Sequence, residues 1–155
     1  MKVKIKKLHP NAVLPKYAKA GDAGLDLTAV SMKIDEYGNV HFGTGLAFEI
    51  PEGHVGLIFP RSSNCKKDLI LTNCVGVIDS SYRGEVSFKF RPIITYMKES
   101  KGCHVIKESI CAREFEIGDR VGQIIIMPYP HIEFEEVDEL SETERGIGGY
   151  GSSGK

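Results

Sequence analysis

Short runs in which apolar and polar residues alternate, or in which β-branched residues cluster, recur along most of the chain, and the spacing of an amphipathic helix is almost absent. The runs Leu25 to Val30, Val40 to Ile50, His54 to Phe59, Leu69 to Val77, Glu85 to Ile94, His104 to Ile110, Val121 to Met127 and His131 to Val137 each predict a strand. Near the start, Val3 and Ile5 alternate with lysines, the pattern of an edge strand whose charges discourage unwanted pairing. Tyr37-Gly38-Asn39, Pro51-Glu52-Gly53 and Glu116-Ile117-Gly118-Asp119 supply turns between these runs. The expected fold is all-β, a jelly-roll-like barrel or sandwich. Only Ser62 to Lys67 suggests a helical turn, with Ser62 or Ser63 as its N-cap and free amides suited to an anion.

The chain has 155 residues, 41% of them hydrophobic, enough for one core. We therefore expect a single domain over residues 1–144. From Arg145 the sequence turns to Gly and Ser, which cannot bury a core, so residues 145–155 are expected to form a flexible arm. Residues Tyr96 to Ala112 read as an extended hairpin or loop insertion without assigned chemistry. The net charge of −1 provides no broad cationic field for a nucleic acid polymer, although a local cluster would suffice for a small phosphate ligand. The four cysteines contain no C-x-x-C pair and the five histidines no H-x-x-x-H spacing, which speaks against structural zinc. No stretch has the length of a membrane span or the character of a secretory leader. The reading is cytoplasmic and reduced, with Cys65 and Cys74 packing as small hydrophobes.

Candidate chemistry begins at Gly76-Val77-Ile78-Asp79-Ser80-Ser81-Tyr82-Arg83-Gly84, which puts an acid and an aromatic ring on a turn between strand-like runs. On this expected hairpin tip Asp79 could take a proton from water while Tyr82 lies against a sugar or base; taken alone, the segment is better explained as an ordinary Gly-closed hairpin. In Ala20-Gly21-Asp22-Ala23-Gly24-Leu25-Asp26, the acid opening a strand could hold a water on a magnesium ion, or serve as a local hydrogen-bond acceptor. Arg61, Ser62 and Ser63 follow an apolar run and suit a phosphate, as they would suit a solvated cap. Gln123 could donate to a phosphate oxygen or to a neighbouring backbone carbonyl. In the arm, Arg145 suits a terminal phosphate and Tyr150 suits stacking on a base, residues that a mere Gly-Ser linker has no reason to carry.

These segments, in this order, closely resemble the motifs of the homotrimeric dUTPases, and the resemblance covers most of the chain. It implies a dUTPase-type fold and hydrolysis of dUTP to dUMP and pyrophosphate, which keeps uracil out of DNA and supplies dUMP for thymidylate synthesis. It further implies Asp79 as the base that activates water against the α-phosphorus. Asn73 and the Gly76, Val77, Ile78 and Asp79 backbone would read uracil, and Tyr82 would lie under the deoxyribose. Arg61, Ser62, Ser63 and Gln123 match the phosphate contacts, and Asp26 matches the acid that holds Mg2+ through water only. Arg145, Tyr150, Gly151, Ser152 and Ser153 match an arm that comes from a different subunit than the Asp79 hairpin, so a homotrimer would share its sites. The expected partners are dUTP and other copies of this chain, with no nucleic acid and no membrane. The chain departs from the usual pattern in three places: a shorter Asn64 to Thr72 stretch, Ile147 at a commonly polar position, and Tyr150 in place of phenylalanine. Two rivals remain. A dCTP deaminase would use a glutamate base where this chain has Asp79, and a non-catalytic regulator would bind a protein on the same scaffold.

Overall fold

The computed structural model describes residues 1–93, 97–98, 105–106 and 115–149, with the backbone alone for 97–98 and 105–106. In chain order the strands are β1 (Lys4–Lys7), β2 (Leu25–Thr28), β3 (Ser31–Ile34), β4 (Val40–Gly43), β5 (Leu46–Glu49), β6 (His54–Phe59), β7 (Leu69–Leu71), β8 (Gly76–Ile78), β9 (Ser87–Pro92), β10 (Met97–Lys98), β11 (Val105–Ile106) and β12 (Arg120–Pro128). Every pairing is antiparallel. One four-stranded sheet runs β2-β12-β6-β8 and the other β3-β4-β9-β7; β1 pairs with β5 and β10 with β11. A 3-10 turn at Ser62–Lys66 is the one helical element among the described residues, and none there could cross a membrane as a helix.

Alternation along the strands builds the core. Phe42 on β4 and Phe88 and Phe90 on β9 are fully buried, and Phe42 and Phe90 both pack against Phe115, with ring centroids 5.8 and 5.5 Å away. Leu27 and Ile124 close the same core from the other sheet. Each such side chain contributes about 1.5–3 kcal/mol by leaving water, so this cluster outweighs any single polar contact in the fold.

Several expected runs break where the chain changes sheets. Val40 to Ile50 divides at Thr44 and Gly45, so that β4 stays with β9 while β5 leaves for β1. Gly45 has φ of 67°, and a Cβ there would lie 2.7 Å from that of His9, so glycine is required. Thr44 is buried at this break; its hydroxyl donates to the Val86 carbonyl at 2.6 Å and accepts from the Leu46 amide at 3.3 Å. Thr44→Val is isosteric but removes the hydroxyl that serves both backbone groups, leaving the Val86 carbonyl only its longer bond from the Thr44 amide at 3.4 Å. We expect it to lower unfolding free energy by about 1–3 kcal/mol, measured by urea denaturation.

Leu69 to Val77 likewise divides into β7, paired with β9, and β8, paired with β6. The connection turns at Cys74, which adopts a left-handed φ of 57°. Consequently β8 and β9 lie in different sheets, and residues 79–86 between them form a crossover instead of the expected hairpin. Alternation alone does not say which neighbour a strand will choose. Strand β3 escaped the sequence reading because all four of its residues are exposed at a sheet edge. His131 to Val137 is not a strand: the segment pairs with no strand among the described residues, and its Ile132, Phe134 and Val137, with Leu140 beyond it, are exposed, Phe134 at 96%. Val105–Ile106 is the only described part of the expected His104 to Ile110 strand, and its pairing with Met97–Lys98 fits the hairpin expected there. Cys65 and Cys74 are exposed free thiols, contrary to the expectation of packed ones, because each falls on a turn and not within a strand.

Candidate functional site

Strand register assembles the first part of the site. Gln123 on β12 lies opposite Asp26 on β2 and opposite Phe59 on β6, so the chain leaving β6 carries Pro60, Arg61 and Ser62 alongside both. The result is a polar groove of about 360 Å3 lined by Asp22, Gly24, Asp26, Arg61, Ser62 and Gln123, with Ala18, Ala23 and Ile125. Three separate segments singled out in the sequence thus meet. Gly24 leaves room for this convergence, since a Cβ there would meet the Gln123 side-chain oxygen and force that amide to move.

Within the groove, Asp26 is mostly shielded and accepts from two guanidinium groups. Arg61 donates from Nε to Oδ1 at 2.7 Å and from Nη2 to Oδ2 at 3.5 Å, and Arg120 donates from Nη1 to Oδ2 at 2.9 Å. Arg61 Nη1 also donates to the Ser63 hydroxyl at 3.3 Å. Ser63 therefore braces Arg61, while Ser62 is exposed on the groove wall. Gln123 donates from Nε2 to the Pro60 carbonyl at 3.3 Å, a backbone partner of the kind its sequence context allows. The cap of the 3-10 turn is Arg61, not Ser62 or Ser63, and no side chain caps it. The serine hydroxyls are thus not consumed by capping.

Arg120 was missed from sequence. A spacing of three from Gln123 would put it on the opposite face of a regular strand, but a register shift between Arg120 and Gly122 brings both to Asp26. An arginine opening a strand close to a polar position is the one signal available in advance.

A divalent cation finds no ready-made cage: among the described residues, no group of three or more His, Cys, Asp or Glu side chains could hold one. Asp26 still has unused lone pairs for the water of an ion carried on phosphates. The charge balance also fits such an ion, since Asp22 and Asp26 offset Arg61 and Arg120 and leave the polyanion to be neutralised otherwise.

The second part of the site lies on β8 and the crossover. Gly76 faces Ile58, and Asn73 sits on the exposed turn just before it. Val77 and Tyr82 are exposed, at 62% and 45%. The Asp79 carbonyl accepts from the Tyr82 amide at 3.1 Å, the Tyr82 hydroxyl donates to the Glu85 carbonyl at 3.1 Å, and Arg83 donates to the Ser80 and Tyr82 carbonyls. Tyr82 is therefore fixed in place and the Asp79 carboxylate is exposed to solvent.

These two parts do not meet within one protomer. Asp79 follows Ile78, which faces Gly56, five positions before Arg61 along the β6 direction. Asp79 is one residue further still, six positions from Arg61, and at ~3.3 Å per residue that is roughly 20 Å. Arg145 lies elsewhere, in a turn where its Nε donates to the Gly148 carbonyl at 3.0 Å, and it is not among the groove residues. Tyr150, Gly151, Ser152 and Ser153 lie outside the described residues.

An antiparallel all-β fold with Arg61, Gln123 and an arginine-paired acid on one groove, and a carboxylate beside exposed apolar residues on a crossover, suits a protein that holds a phosphorylated small molecule. Comparison with known proteins narrows the class. The dUTPase family model matches residues 10–154. The deoxyuridine 5'-triphosphate nucleotidohydrolase of Wolinella succinogenes is 40% identical, covering 100% of this chain and 95% of its own, and that of Picosynechococcus sp. is 37% identical over 99% of both. Among solved structures, the Staphylococcus bacteriophage 80alpha dUTPase with dUPNHPP aligns with a TM-score of 0.79 at 29% identity over 99% of both chains. A mutant dUTPase of S. aureus phage phi11, described with a structural Mg(II) ion, aligns at 0.67 and 25% identity over 90% of this chain and 98% of its own. The chain belongs to the dUTPase family.

Proposed function

We propose that this chain cleaves dUTP to dUMP and pyrophosphate by attack of a water, held and deprotonated by Asp79, on the α-phosphorus. That it is a hydrolase of dUTP follows from its membership of the dUTPase family. In this reading Arg61, Ser62 and Gln123 bind the phosphates in the groove and Ser63 braces Arg61. Asn73 and the backbone of Gly76, Val77, Ile78 and Asp79 recognise uracil, with Tyr82 beneath the sugar. Asp26 would hold, through water, a Mg2+ ion brought in with the phosphates, and that ion would supply neutralisation of charge on the pyrophosphate. Arg145 closes the site with Tyr150, Gly151, Ser152 and Ser153, as the arm over residues 145–155 folds onto the domain of residues 1–144.

The observation that carries the reading furthest is the separation of roughly 20 Å between Arg61 and Asp79 along the sheet. A single nucleotide cannot reach both on one protomer with its α-phosphorus against the carboxylate. The groove of one chain and the Asp79 crossover of another must therefore make each site, as in a closed threefold ring. The exposed Phe134 and Leu140 on the segment leading to the arm support burial against a neighbour.

The test is to give the purified chain Mg2+ with dUTP, dCTP, dTTP or UTP. Pyrophosphate from dUTP alone is expected. Ammonia from dCTP would make it a deaminase, and the absence of any turnover would make it a binding protein.

A further inference from the structure

Arg61 holds Asp26 unevenly, with Nε close at 2.7 Å and Nη2 slack at 3.5 Å, although a guanidinium beside a carboxylate ordinarily closes into a two-pronged fork. The cause is visible in the same cluster. Arg120 occupies Oδ2 at 2.9 Å, so the second prong of Arg61 is displaced. Ser63 holds the remaining nitrogen, Nη1, at 3.3 Å, which fixes the plane of the group. Only Nη2 is left weakly engaged. The nearby Asp22 carboxylate, whose Oδ2 accepts the Lys19 amide at 2.8 Å, makes no ion pair with Arg61.

We infer that Arg120 is a positioning residue for the phosphate site: by occupying one oxygen of Asp26 it keeps Arg61 from closing on that acid and holds Nη2 free for a phosphate. This inference rests on the dUTPase reading of the groove. Arg120 itself need not touch the nucleotide. Without it, Asp26 and Arg61 collapse into a symmetric fork, and phosphate must then compete with a carboxylate for both prongs.

The experiment uses the full chain and compares Arg120→Gln and Arg120→Lys with the parent, measuring hydrolysis of dUTP and calorimetric binding of dUMP and of the imido analogue dUPNHPP with Mg2+. For Arg120→Gln, KM for dUTP and Kd for dUPNHPP should rise about tenfold, the usual cost of losing a partner that orients a ligating side chain, with kcat and dUMP affinity nearly unchanged. Arg120→Lys, which still places a cation on Oδ2, should recover most of the loss. In the Arg61→Gln background, Arg120→Gln should cost almost nothing more, because its effect passes through Arg61. Equal weakening of dUMP, a kcat loss with KM unchanged, or additive losses in the double variant would each overturn the inference. A melting temperature for each variant guards against misfolding. If Arg120→Gln unfolds, the comparison of Arg120→Met in the parent and Arg61→Gln backgrounds decides by the same criterion of additivity. If the parent chain binds neither dUTP nor dUPNHPP, the dUTPase reading fails instead.

Discussion

Asp79→Asn should lower kcat for dUTP by about two to four orders of magnitude while leaving the affinity for dUPNHPP within a few-fold, measured by pyrophosphate release and calorimetry. The substitution keeps the size and hydrogen-bonding reach of the side chain, and the crossover is held by the Tyr82 amide and the Arg83 guanidinium donating to backbone carbonyls, contacts that do not involve the carboxylate. Folding should therefore be untouched and only proton transfer lost. Retention of near-normal turnover would remove Asp79 from the chemistry and leave the exposed acid as a turn residue.

Mixing two inactive variants should restore activity. A chain carrying Asp79→Asn keeps an intact groove, and one carrying Arg61→Gln with Gln123→Ala keeps an intact crossover. Each alone should be nearly silent. After unfolding and refolding together in equal amounts, sites that draw their groove and their carboxylate from different chains should be fully wild-type in roughly a quarter of cases, by random assembly into a closed ring. Recovered dUTP hydrolysis near that fraction of the parent is the expected result. If the mixture is as inactive as its components, groove and carboxylate act within one chain, and the strand-spacing argument fails.

Much of this was legible in the sequence for a simple reason: strand-forming residues and turn residues report their own local state. His54 to Phe59 is a strand along its whole expected length, and Val121 to Met127 lies within β12. Choice of partner is not a local property. The Leu69 to Val77 run looks continuous, yet it serves both sheets because its middle turns at Asn73 and Cys74 and the Phe90 side of the core draws β7 away. The same cause converted an expected hairpin at Asp79 into a crossover. At the site, Asp26, Arg61 and Gln123 could be nominated by residue type, and cross-strand register brought them together. Arg120 could not be so nominated, because a one-residue bulge inverts the face on which it emerges. The exposed segment over 131–140 misled for a different reason: its alternation is real, but its apolar residues find no cover within the described residues of a single chain.

The distance between groove and carboxylate has a bearing on when the protein works at all. If each site takes its groove and its carboxylate from different chains, as proposed, a freshly made, fully folded protomer holds both halves of the chemistry and can combine neither, so its turnover would begin only on encounter with other copies. Hydrolysis then obeys mass action twice, once for nucleotide and once for the chain itself. Specific activity would fall steeply at dilutions where protomers part, with each one still intact.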